Sequence, residues 1–366
     1  MKVLHVITTL NRGGAENQLL TLTRQQVKDG LEVSVLPLKG TLDLGVFFRE
    51  SGVEVIENYC NLNWFIQTLK IRSYLKRSKF TIIHAHLPRA EVTSALASQN
   101  RFVITRHNSE IFFPGAPNLI STKLSRWVTK RSYMVICISK AVLKFISDNH
   151  ELATKATVVY YGRDVEEIYV KDKLLRNQFL KELDIGAKCA IYVTLARLTP
   201  QKDIFTLIKA FKLVSESNID ARLIIGGEGE LKVELQEFAS KLGVSEKIRW
   251  LGNIKNTDEL YNASDLFVFT SIYEGFGLVL LEAMTHHIPI VAAKNTSIPE
   301  VIGPEHPGLV ETGNFIEFAD KMKNLIELNK SKEVVQLQDK RLNLFDITKT
   351  SKLHLQIYED LIQSIA

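Results

Sequence analysis

Short apolar runs rich in Val and Ile alternate along this chain with longer stretches whose apolar residues recur at helical spacing. This alternation is typical of a parallel sheet whose strands are joined by crossover helices. In the first half the runs that predict strands are Lys2–Thr8, Glu32–Leu38, Val53–Ile56, Thr81–Ala85, Phe102–Thr105, Met134–Ile138 and Thr157–Tyr160. The rhythm then restarts, and the second set is Ala190–Ala196, Arg222–Ile225, Ile248–Leu251, Leu266–Phe269, Pro289–Ala292 and Leu309–Val310. The pattern therefore predicts an α/β protein with two doubly wound, Rossmann-like sheets.

The two sets of strands divide the chain into predicted domains. A length of 366 residues exceeds the usual size of one hydrophobic core. We expect a first domain over 1–163, a second over 164–347, and a C-terminal helix over 348–366 that crosses back to the first domain. Ligands of open parallel sheets bind outside the carboxyl ends of the strands, so two facing sheets predict a cleft between the domains. Functional residues should therefore follow the strands directly.

The formal net charge of +5 conceals an uneven distribution of charge along the chain. Residues 1–163 hold 22 Lys and Arg against 11 Asp and Glu, whereas the remainder holds 24 against 30. A basic first half is expected to meet an anionic partner, such as a membrane surface, a nucleic acid or a phosphorylated substrate.

The sequence has no pattern typical of export or of disulfide bonding. It has no run of about 18 apolar residues, and the opening MKVLHVITTL lacks the features of a signal peptide, so we expect a cytoplasmic protein. Cys60, Cys137 and Cys189 are scattered, without a CxxC pair or metal-ligand spacing. They are interpreted as reduced packing residues.

In the first half, glycines and histidines follow predicted strands. Gly13 and Gly14 come after the first strand, where paired glycines allow a phosphate or sugar to approach the backbone; a plain tight turn is the alternative. The segment lacks the GxGxxG fingerprint, which argues against a nicotinamide enzyme. His107 follows a later strand and is a candidate hydrogen-bond donor or proton shuttle. His84 and His86 follow another, with His84 expected to be structural, and no third metal ligand at suitable spacing joins them.

The second half places two cations and a glycine loop after successive strands. Arg197 and Lys202 flank one loop, where both can neutralise a diphosphate; a surface salt bridge is the alternative. The next strand is followed by the glycine-rich segment 226–229, a loop that a nucleotide can approach without obstruction by side chains.

A strand, a glycine loop and a helix start occur together in segment 271–284. The backbone N–H groups at the start of the helix predict an anion site. Its expected residues are Phe276, Gly277 and Leu278, and Gly275 lies in the loop directly before them. Glu274 in the loop and Glu282 in the helix bracket this site, and a carboxylate can accept two hydrogen bonds from the hydroxyls of a ribose or hexose. Glu282 as an ordinary helix glutamate is the alternative.

Taken in order, these motifs resemble those of the family-4 (group 1) glycosyltransferases, retaining enzymes of the GT-B fold. The resemblance covers almost the whole chain, and its specificity lies in the order of the motifs. The matching segments are Gly13-Gly14-Ala15-Glu16, His84-Ala85-His86, Thr105-Arg106-His107, Ile138-Ser139-Lys140, Tyr161-Gly162-Arg163-Asp164, Ala196-Arg197-Leu198, Gln201-Lys202-Asp203, Gly226-Gly227-Glu228-Gly229, Glu274 with Glu282, and Ile298-Pro299-Glu300-Val301.

The resemblance assigns a role to each candidate residue. It implies that Arg197 and Lys202 bind the diphosphate of a nucleotide-sugar donor and that Glu282 holds the ribose. Glu274 holds the transferred sugar, helped by the backbone of segment 275–278. His107 lies near the reacting sugar, and Gly13 and Gly14 belong to the donor site, with Gly14 closing over the donor. The implied catalytic residues are His107, Arg197, Lys202 and Glu274. No metal and no cofactor is implied, and retention follows a front-face route in which the leaving phosphate accepts the acceptor's proton.

This chain departs from the family pattern at two places on the donor side. His287 stands where the family usually has a glycine two residues before a proline, and Thr296-Ser297 stands where it commonly has Gly-Gly. The preference for a sugar or nucleotide is therefore less securely implied than the reaction.

The basic first half has a candidate partner in an anionic membrane. Lys123, Arg126, Trp127, Lys130 and Arg131 share one predicted helix, and a second basic run covers 70–79. Cations and aromatic residues on one surface suit a membrane face; a solvated helix is the alternative, and nucleic acid is not expected.

The function implied is transfer of a hexose or N-acetylhexosamine from a uridine-linked donor to a growing glycan or lipid-linked acceptor in surface polysaccharide synthesis. The alternatives are a non-catalytic module that binds sugar nucleotides or glycans, and a nucleotide-sugar epimerase on the same fold.

Overall fold

A computed structural model describes the chain except for residues 99–100, 109–111, 114–116, 151–154, 166–168, 170, 218–219, 255 and 365–366, and except for the side chains of 149–150 and 328–329. The described residues form two compact units. Unit 1 comprises Met1–Asp164 and Phe345–Ala366, and unit 2 comprises Val165–Leu344.

Unit 1 is built on one parallel sheet of seven strands. The strands are β1 (Lys2–Ile7), β2 (Glu32–Pro37), β3 (Glu54–Val55), β4 (Ile82–His86), β5 (Val103–Arg106), β6 (Met134–Cys137) and β7 (Ala156–Val158). Their order across the sheet is β3-β2-β1-β4-β5-β6-β7. Sequence order therefore reverses between β1 and β4, which is the switch point where open sheets of this kind bind ligands.

Among the described residues, seven α-helices cover the sheet of unit 1. They are α1 (Gly14–Lys28), α2 (Gly45–Glu50), α3 (Trp64–Arg77), α4 (Pro88–Ala97), α5 (Asn118–Arg131), α6 (Lys140–His150) and, from the end of the chain, α15 (Ile347–Gln363). Ile357, Tyr358 and Leu361 of α15 pack with buried residues of β1, β4, β5 and β6. The apolar face read from the last segment is thus part of the core of unit 1.

Unit 2 repeats the same architecture with six strands. The strands are β8 (Ala190–Leu195), β9 (Ala221–Gly226), β10 (Ile248–Gly252), β11 (Leu266–Phe269), β12 (Ile290–Ala293) and β13 (Leu309–Val310), in the order β10-β9-β8-β11-β12-β13. The helices are α7 (Lys173–Glu182), α8 (Ile204–Ser215), α9 (Lys232–Lys241), α10 (Asp258–Ala263), α11 (Leu278–Thr285), α12 (Ile298–Ile302), α13 (Phe315–Leu325) and α14 (Leu328–Leu342). The switch point of this sheet lies between β8 and β11.

These sheets confirm the predicted fold class of two doubly wound, Rossmann-like layers. Strands such as β11 and β12 are buried at every position, because helices cover both faces of a parallel sheet. Continuous apolar runs in the sequence are the consequence. None of the helices in the described parts of the chain is long and apolar enough to cross a membrane.

Candidate active site

The switch point of unit 2 brings together residues from two loops. One loop follows β8 and carries Arg197 and Lys202, the latter in a single 3-10 turn (Pro200–Lys202). The other joins β11 to α11 and carries Glu274. Because β8 and β11 pair in parallel, their carboxyl ends lie side by side and both loops leave the same edge of the sheet.

Lys202 and Glu274 form an ion pair across these loops. Their side chains are only 12% and 10% exposed, so the pair is shielded from most of the screening that weakens surface salt bridges. The Lys202 ammonium also lies 5.5 Å from the centre of the Phe269 ring. An ammonium has three donors, so Lys202 can keep Glu274 while donating to an anionic ligand.

Hydrogen bonds hold the two loops in register around this pair. Thr270 Oγ1 donates to the carbonyl of Lys202 at 2.9 Å. The N–H of Ile272 donates to the carbonyl of Gln201 at 2.8 Å, and Gln201 Nε2 donates to the carbonyl of Tyr273 at 2.8 Å. The position of Lys202 relative to Glu274 is therefore fixed by backbone contacts on both sides.

Arg197 is exposed at the carboxyl end of β8. Within the described residues no carboxylate lies at ion-pair distance from its guanidinium, which leaves the surface salt bridge foreseen as an alternative without a partner there. Hydrogen bonds hold the backbone on both sides of Arg197. The N–H of Ala196 donates to the backbone carbonyl of Gly226 at 3.0 Å, and the N–H of Leu198 donates to the backbone carbonyl of Glu228 at 2.9 Å.

The glycine-rich segment 226–229 allows the close backbone packing that holds the residues on either side of Arg197. Gly227 has a φ of 124°, and a Cβ added there would lie 1.9 Å from the carbonyl oxygen of Ala196. A Cβ on Gly229 would lie 2.3 Å from the carbonyl oxygen of Leu198. The glycines allow two loops to pack backbone against backbone, a structural role beside the approach of a nucleotide that the sequence suggested.

The predicted helix start is present at α11. Gly277 precedes Leu278 with a left-handed φ of 90°, and the first turn of α11 contains no acidic residue. Phe276 is buried, so its ring anchors the loop in the core. The positive end of the α11 dipole therefore lies beside Glu274 and Lys202 on the ligand edge of the sheet.

Glu282 lies one turn further along α11. Its carboxylate accepts a hydrogen bond of 2.8 Å from the hydroxyl of Tyr261, a buried residue of α10. Tyr261 was not foreseen, since it occupies an apolar position of its helix. The contact orients a carboxylate, a group that can accept hydrogen bonds from ribose hydroxyls.

In unit 1, Gly13 and Gly14 lie at the start of α1. Gly13 caps the helix in an extended conformation, and a Cβ on Gly13 would lie 2.4 Å from Oε2 of Glu16. Glu16 itself accepts a hydrogen bond of 2.7 Å from Thr9 Oγ1. The segment turns tightly from the strand into α1 and places the Glu16 carboxylate beside Gly13.

His107 belongs to a buried chain of hydrogen bonds in unit 1. Gln26 Oε1 can only accept, so His5 Nε2 donates to it at 2.8 Å. Burial lowers the pKa of His5 to about 3, so His5 is neutral and its Nδ1 accepts from His86 Nε2 at 2.9 Å. By the same logic His86 Nδ1 accepts from His107 Nε2 at 3.2 Å, and His107 Nδ1 accepts from the hydroxyl of Tyr161.

The chain continues beyond Gln26. Its Nε2 donates to the hydroxyl of Tyr358 at 3.3 Å, Tyr358 donates to His84 Nδ1 at 2.7 Å, and His84 Nε2 donates to Thr105 Oγ1 at 2.7 Å. His84 is fully buried, in agreement with its predicted structural role.

This network defines the state of His107. Both ring nitrogens have partners inside unit 1, and burial, reinforced by the charge of Arg106, lowers its pKa to about 3. His107 is therefore a neutral imidazole with its proton on Nε2. Contact of either nitrogen with a sugar would require one of these hydrogen bonds to open.

The expectation that no third ligand joins His84 and His86 was wrong, because the fold places His5 beside them. His5 comes from β1, far away in sequence, and ring nitrogens of the three lie within 4.8 Å of one another. Every ring nitrogen of these three residues already takes part in the hydrogen-bond chain. Hydrogen bonding accounts for the cluster without a metal ion.

The two departures from the family pattern share one backbone feature. His287 and Thr296 have φ values of 51° and 37°, in the left-handed region that favours glycine. Such a conformation costs on the order of 1–3 kcal/mol for other residues. His287 forms a 2.9 Å contact with Asp339 of α14, which offsets part of that cost.

The structure thus groups the predicted donor residues of unit 2 at one sheet edge. Arg197, Lys202, Glu274 and segment 275–278 surround the switch point, with Glu282 on the adjoining helix. Gly13, Gly14 and His107 follow strands of unit 1, and their predicted closure over the donor stays a prediction.

Comparison with known proteins identifies this arrangement as that of a glycosyltransferase. Residues 12–167 match the sequence profile described as Glycosyltransferase Family 4, and residues 176–340 match that described as Glycosyl transferases group 1. The chain belongs to this glycosyltransferase family, and its two sheets form the GT-B fold.

Individual relatives agree with that assignment. The N-acetyl-alpha-D-glucosaminyl L-malate synthase of Bacillus anthracis is 30% identical over 270 residues, covering 70% of this chain and 68% of the relative. A Campylobacter jejuni alpha-1,4-N-acetyl-D-galactosaminyltransferase, whose name gives a PP-undecaprenol-linked acceptor, is 24% identical with 98% of both chains covered. The crystal structure of Anabaena HepE in complex with UDP-glucose superimposes with a TM-score of 0.84 at 22% identity, covering 99% of both chains.

Proposed function

We propose that this glycosyltransferase moves a hexose or N-acetylhexosamine from a uridine diphosphate sugar to a lipid-linked glycan acceptor, with retention of anomeric configuration and without a metal ion. The observation that carries the proposal is the buried Lys202–Glu274 pair at the switch point of unit 2, beside exposed Arg197 and the start of α11. Cations, a carboxylate and a helix dipole at one edge match the diphosphate and hydroxyls of a nucleotide sugar. The relative with a PP-undecaprenol-linked acceptor and the fold neighbour bound to UDP-glucose support the choice of acceptor and nucleotide.

Each side chain has a place in the proposed reaction. Glu282, oriented by Tyr261, accepts from the ribose hydroxyls, and Glu274 accepts from hydroxyls of the transferred sugar. Arg197 and Lys202 donate to the diphosphate. These cations supply the positive charge that a metal ion supplies in other transferases.

The bond changes follow from that placement. The bond between the anomeric carbon and the diphosphate oxygen breaks, and the developing negative charge on the leaving group is stabilised by Arg197 and Lys202. The acceptor hydroxyl oxygen bonds to the anomeric carbon on the same face. Its proton passes to the leaving phosphate oxygen, so the configuration is retained.

The test compares variants of the donor site with the unchanged protein. Replacing Arg197 by Ala or Glu282 by Ala should lower kcat/KM for the donor by about 10- to 150-fold, which corresponds to about 1.5–3 kcal/mol of lost hydrogen bonding to a charged group. The matched control is Arg222→Ala, near the amino end of β9 and therefore remote from the ligand edge. Donor turnover is measured with and without an undecaprenyl-linked acceptor.

Three results would contradict the proposal. Unchanged turnover in Arg197→Ala and Glu282→Ala would show that these residues of unit 2 do not bind the donor. Conversion of the donor sugar without an acceptor would indicate an epimerase. Thermal stabilisation by UDP with neither transfer nor slow hydrolysis of any donor would indicate a module that only binds.

The proposed acceptor side lies on the basic face of unit 1. Helices α3 and α5 both pack against α4, so they cover neighbouring parts of the same surface. Phe65 and Leu69 of α3 are 71% and 68% exposed, close in sequence to the exposed cations of that helix. Helix α5 exposes Leu119, Ile120 and Trp127 among its own cations. Apolar side chains surrounded by Lys and Arg suit an anionic lipid surface, where a lipid-linked acceptor resides.

A further inference from the structure

Thr296 is a β-branched residue held in a conformation that favours glycine. Its φ is 37°, and it stands between β12 and α12, next to the loop that carries Glu274. Strained residues persist where the surrounding structure over-determines them, and such residues concentrate at functional sites. The contacts of Thr296 show which neighbouring residues depend on this strained conformation.

The side chain of Thr296 binds the backbone of Glu274. The N–H of Glu274 donates to Thr296 Oγ1 at 2.9 Å, and the Thr296 hydroxyl donates to Asn295 Oδ1 at 3.0 Å. Fully buried Ser297 donates from Oγ to the carbonyl of Glu274 at 3.1 Å. Both backbone polar groups of Glu274 are therefore bound by adjacent residues of one segment.

Asn295 binds the start of the same loop. Its Nδ2 donates to the carbonyl of Ser271 at 2.7 Å and to Thr312 Oγ1 at 3.0 Å. We call residues 295–297 the Glu274 clamp. A glycine in place of Thr296 would relieve the strain, but it would remove the hydroxyl that accepts from Glu274.

We propose that Thr296 is a positioning residue that fixes the Glu274 carboxylate and thereby makes this enzyme selective for the configuration of the transferred sugar. The inference rests on the proposed function, in which Glu274 accepts hydrogen bonds from hydroxyls of that sugar. A carboxylate fixed by Lys202 on its side chain and by the clamp on its backbone accepts from one orientation of a hydroxyl. An epimeric sugar then leaves this buried carboxylate without its hydroxyl partner on the sugar, which is how a polar site discriminates between close analogues.

The clamp holds Glu274, the residue that is proposed to bind the sugar of the donor. Arg197 and Glu282 have no contact with the clamp among the described hydrogen bonds and ion pairs, and Lys202 reaches it only through the Glu274 carboxylate. The affinity for the nucleotide diphosphate should therefore depend only weakly on Thr296. A change in sugar selectivity at constant UDP affinity is a result that a general structural role would not produce.

The experiment measures kcat and KM for UDP-glucose, UDP-galactose and their two N-acetyl counterparts, together with the Kd of UDP. In Thr296→Gly we expect at least a 10-fold smaller ratio of kcat/KM between the best donor and its epimer, and a Kd for UDP within about twofold of that of the wild-type protein. Thr296→Ser keeps the hydroxyl and should therefore keep the wild-type ratio of kcat/KM between the best donor and its epimer.

Asp184→Gly is the control for relief of strain. Asp184 is exposed at the end of α7 with a φ of 54°, so its replacement by glycine should raise Tm without changing the ratio. An unchanged ratio in Thr296→Gly would overturn the inference while the proposed function stands. Absence of turnover of all four donors by the unchanged protein would instead refute the proposed function, and the inference with it.

Discussion

Gly227 shows how a single residue can determine the geometry of the donor site. Its backbone N–H donates to the carbonyl of Gly252 at 2.7 Å, and its α-carbon faces the carbonyl of Ala196 at a distance that leaves no room for a Cβ. Since Ala196 directly precedes Arg197, a displacement at Gly227 moves the guanidinium that is proposed to bind the diphosphate.

Replacing Gly227 by Ala should destabilise unit 2 by more than about 3 kcal/mol, because a left-handed Ala and a clash with backbone act together. The control is Gly243→Ala, where φ is 71° but no atom lies within 4 Å of the added Cβ. That variant should lose only about 1–2 kcal/mol. Urea unfolding of both variants gives the difference, and equal losses would show that the loop after β8 moves aside at little cost.

At the scale of elements, helices α3 and α5 each expose several apolar side chains beside cations. Lys123, Arg126 and Lys130 of α5 are exposed beside Leu119 and Trp127. A helix that packs one face on the core and exposes cations with apolar side chains on another is suited to lie on a lipid surface. The sequence predicted the cations and Trp127, whereas the exposure of Phe65 and Leu69 became evident only when α3 was packed.

Replacing Lys123, Arg126 and Lys130 together by Gln should weaken binding to vesicles containing phosphatidylglycerol by about 150-fold at low salt, since each cation contributes about 1 kcal/mol near such a surface. The same three substitutions at Lys173, Lys181 and Lys188 of unit 2 remove equal charge from another exposed surface. Co-sedimentation measures both. Equal binding of the unchanged protein to neutral and anionic vesicles would contradict the membrane assignment.

At the scale of the whole molecule, the histidines whose pKa is lowered by burial are, among the described residues, concentrated in unit 1. His5, His84, His86 and His354 are buried in unit 1 and His107 is partly buried there, each with a pKa lowered chiefly by burial. His286 and His306 are buried in unit 2, where burial lowers the pKa of His306. The pKa of His5 and of His107 falls to about 3, and that of His354 to about 4. These imidazoles stay neutral in the folded chain but take up protons near pH 6.5 when it unfolds.

Unit 1 should therefore lose stability on acidification before unit 2. Above about pH 6.5 both states are neutral and stability is full; below it the unfolded chain binds more protons, at about 1.4 kcal/mol per pH unit for each histidine. Thermal unfolding from pH 7.5 to 4.5, followed by hydrogen exchange in each unit, measures the order of loss. His354→Gln should reduce the slope by about one proton, and a Tm of unit 1 independent of pH would contradict the account.

The fold was predictable because its signal is local in sequence. Continuous apolar runs follow from strands that are buried on both faces, so the second sheet was read as readily as the first. Candidate donor residues were predictable for the same reason, since in open parallel sheets ligands meet the residues that follow strand ends. Arg197, Lys202 and Glu274 each follow a predicted strand, and the structure places them at one edge.

The sequence alone determined the two sheets, the family and which loops follow the strand ends, because periodicity and motif order are properties of neighbouring residues. Only the tertiary structure decided which side chains pair and how they are held. Lys202 meets Glu274 across 72 residues, and His5 meets His86 across 81. Thr296 is left-handed because its surroundings compensate for the strain. Such contacts depend on segments brought together by chain folding, and no local pattern of hydrophobic and polar residues encodes them.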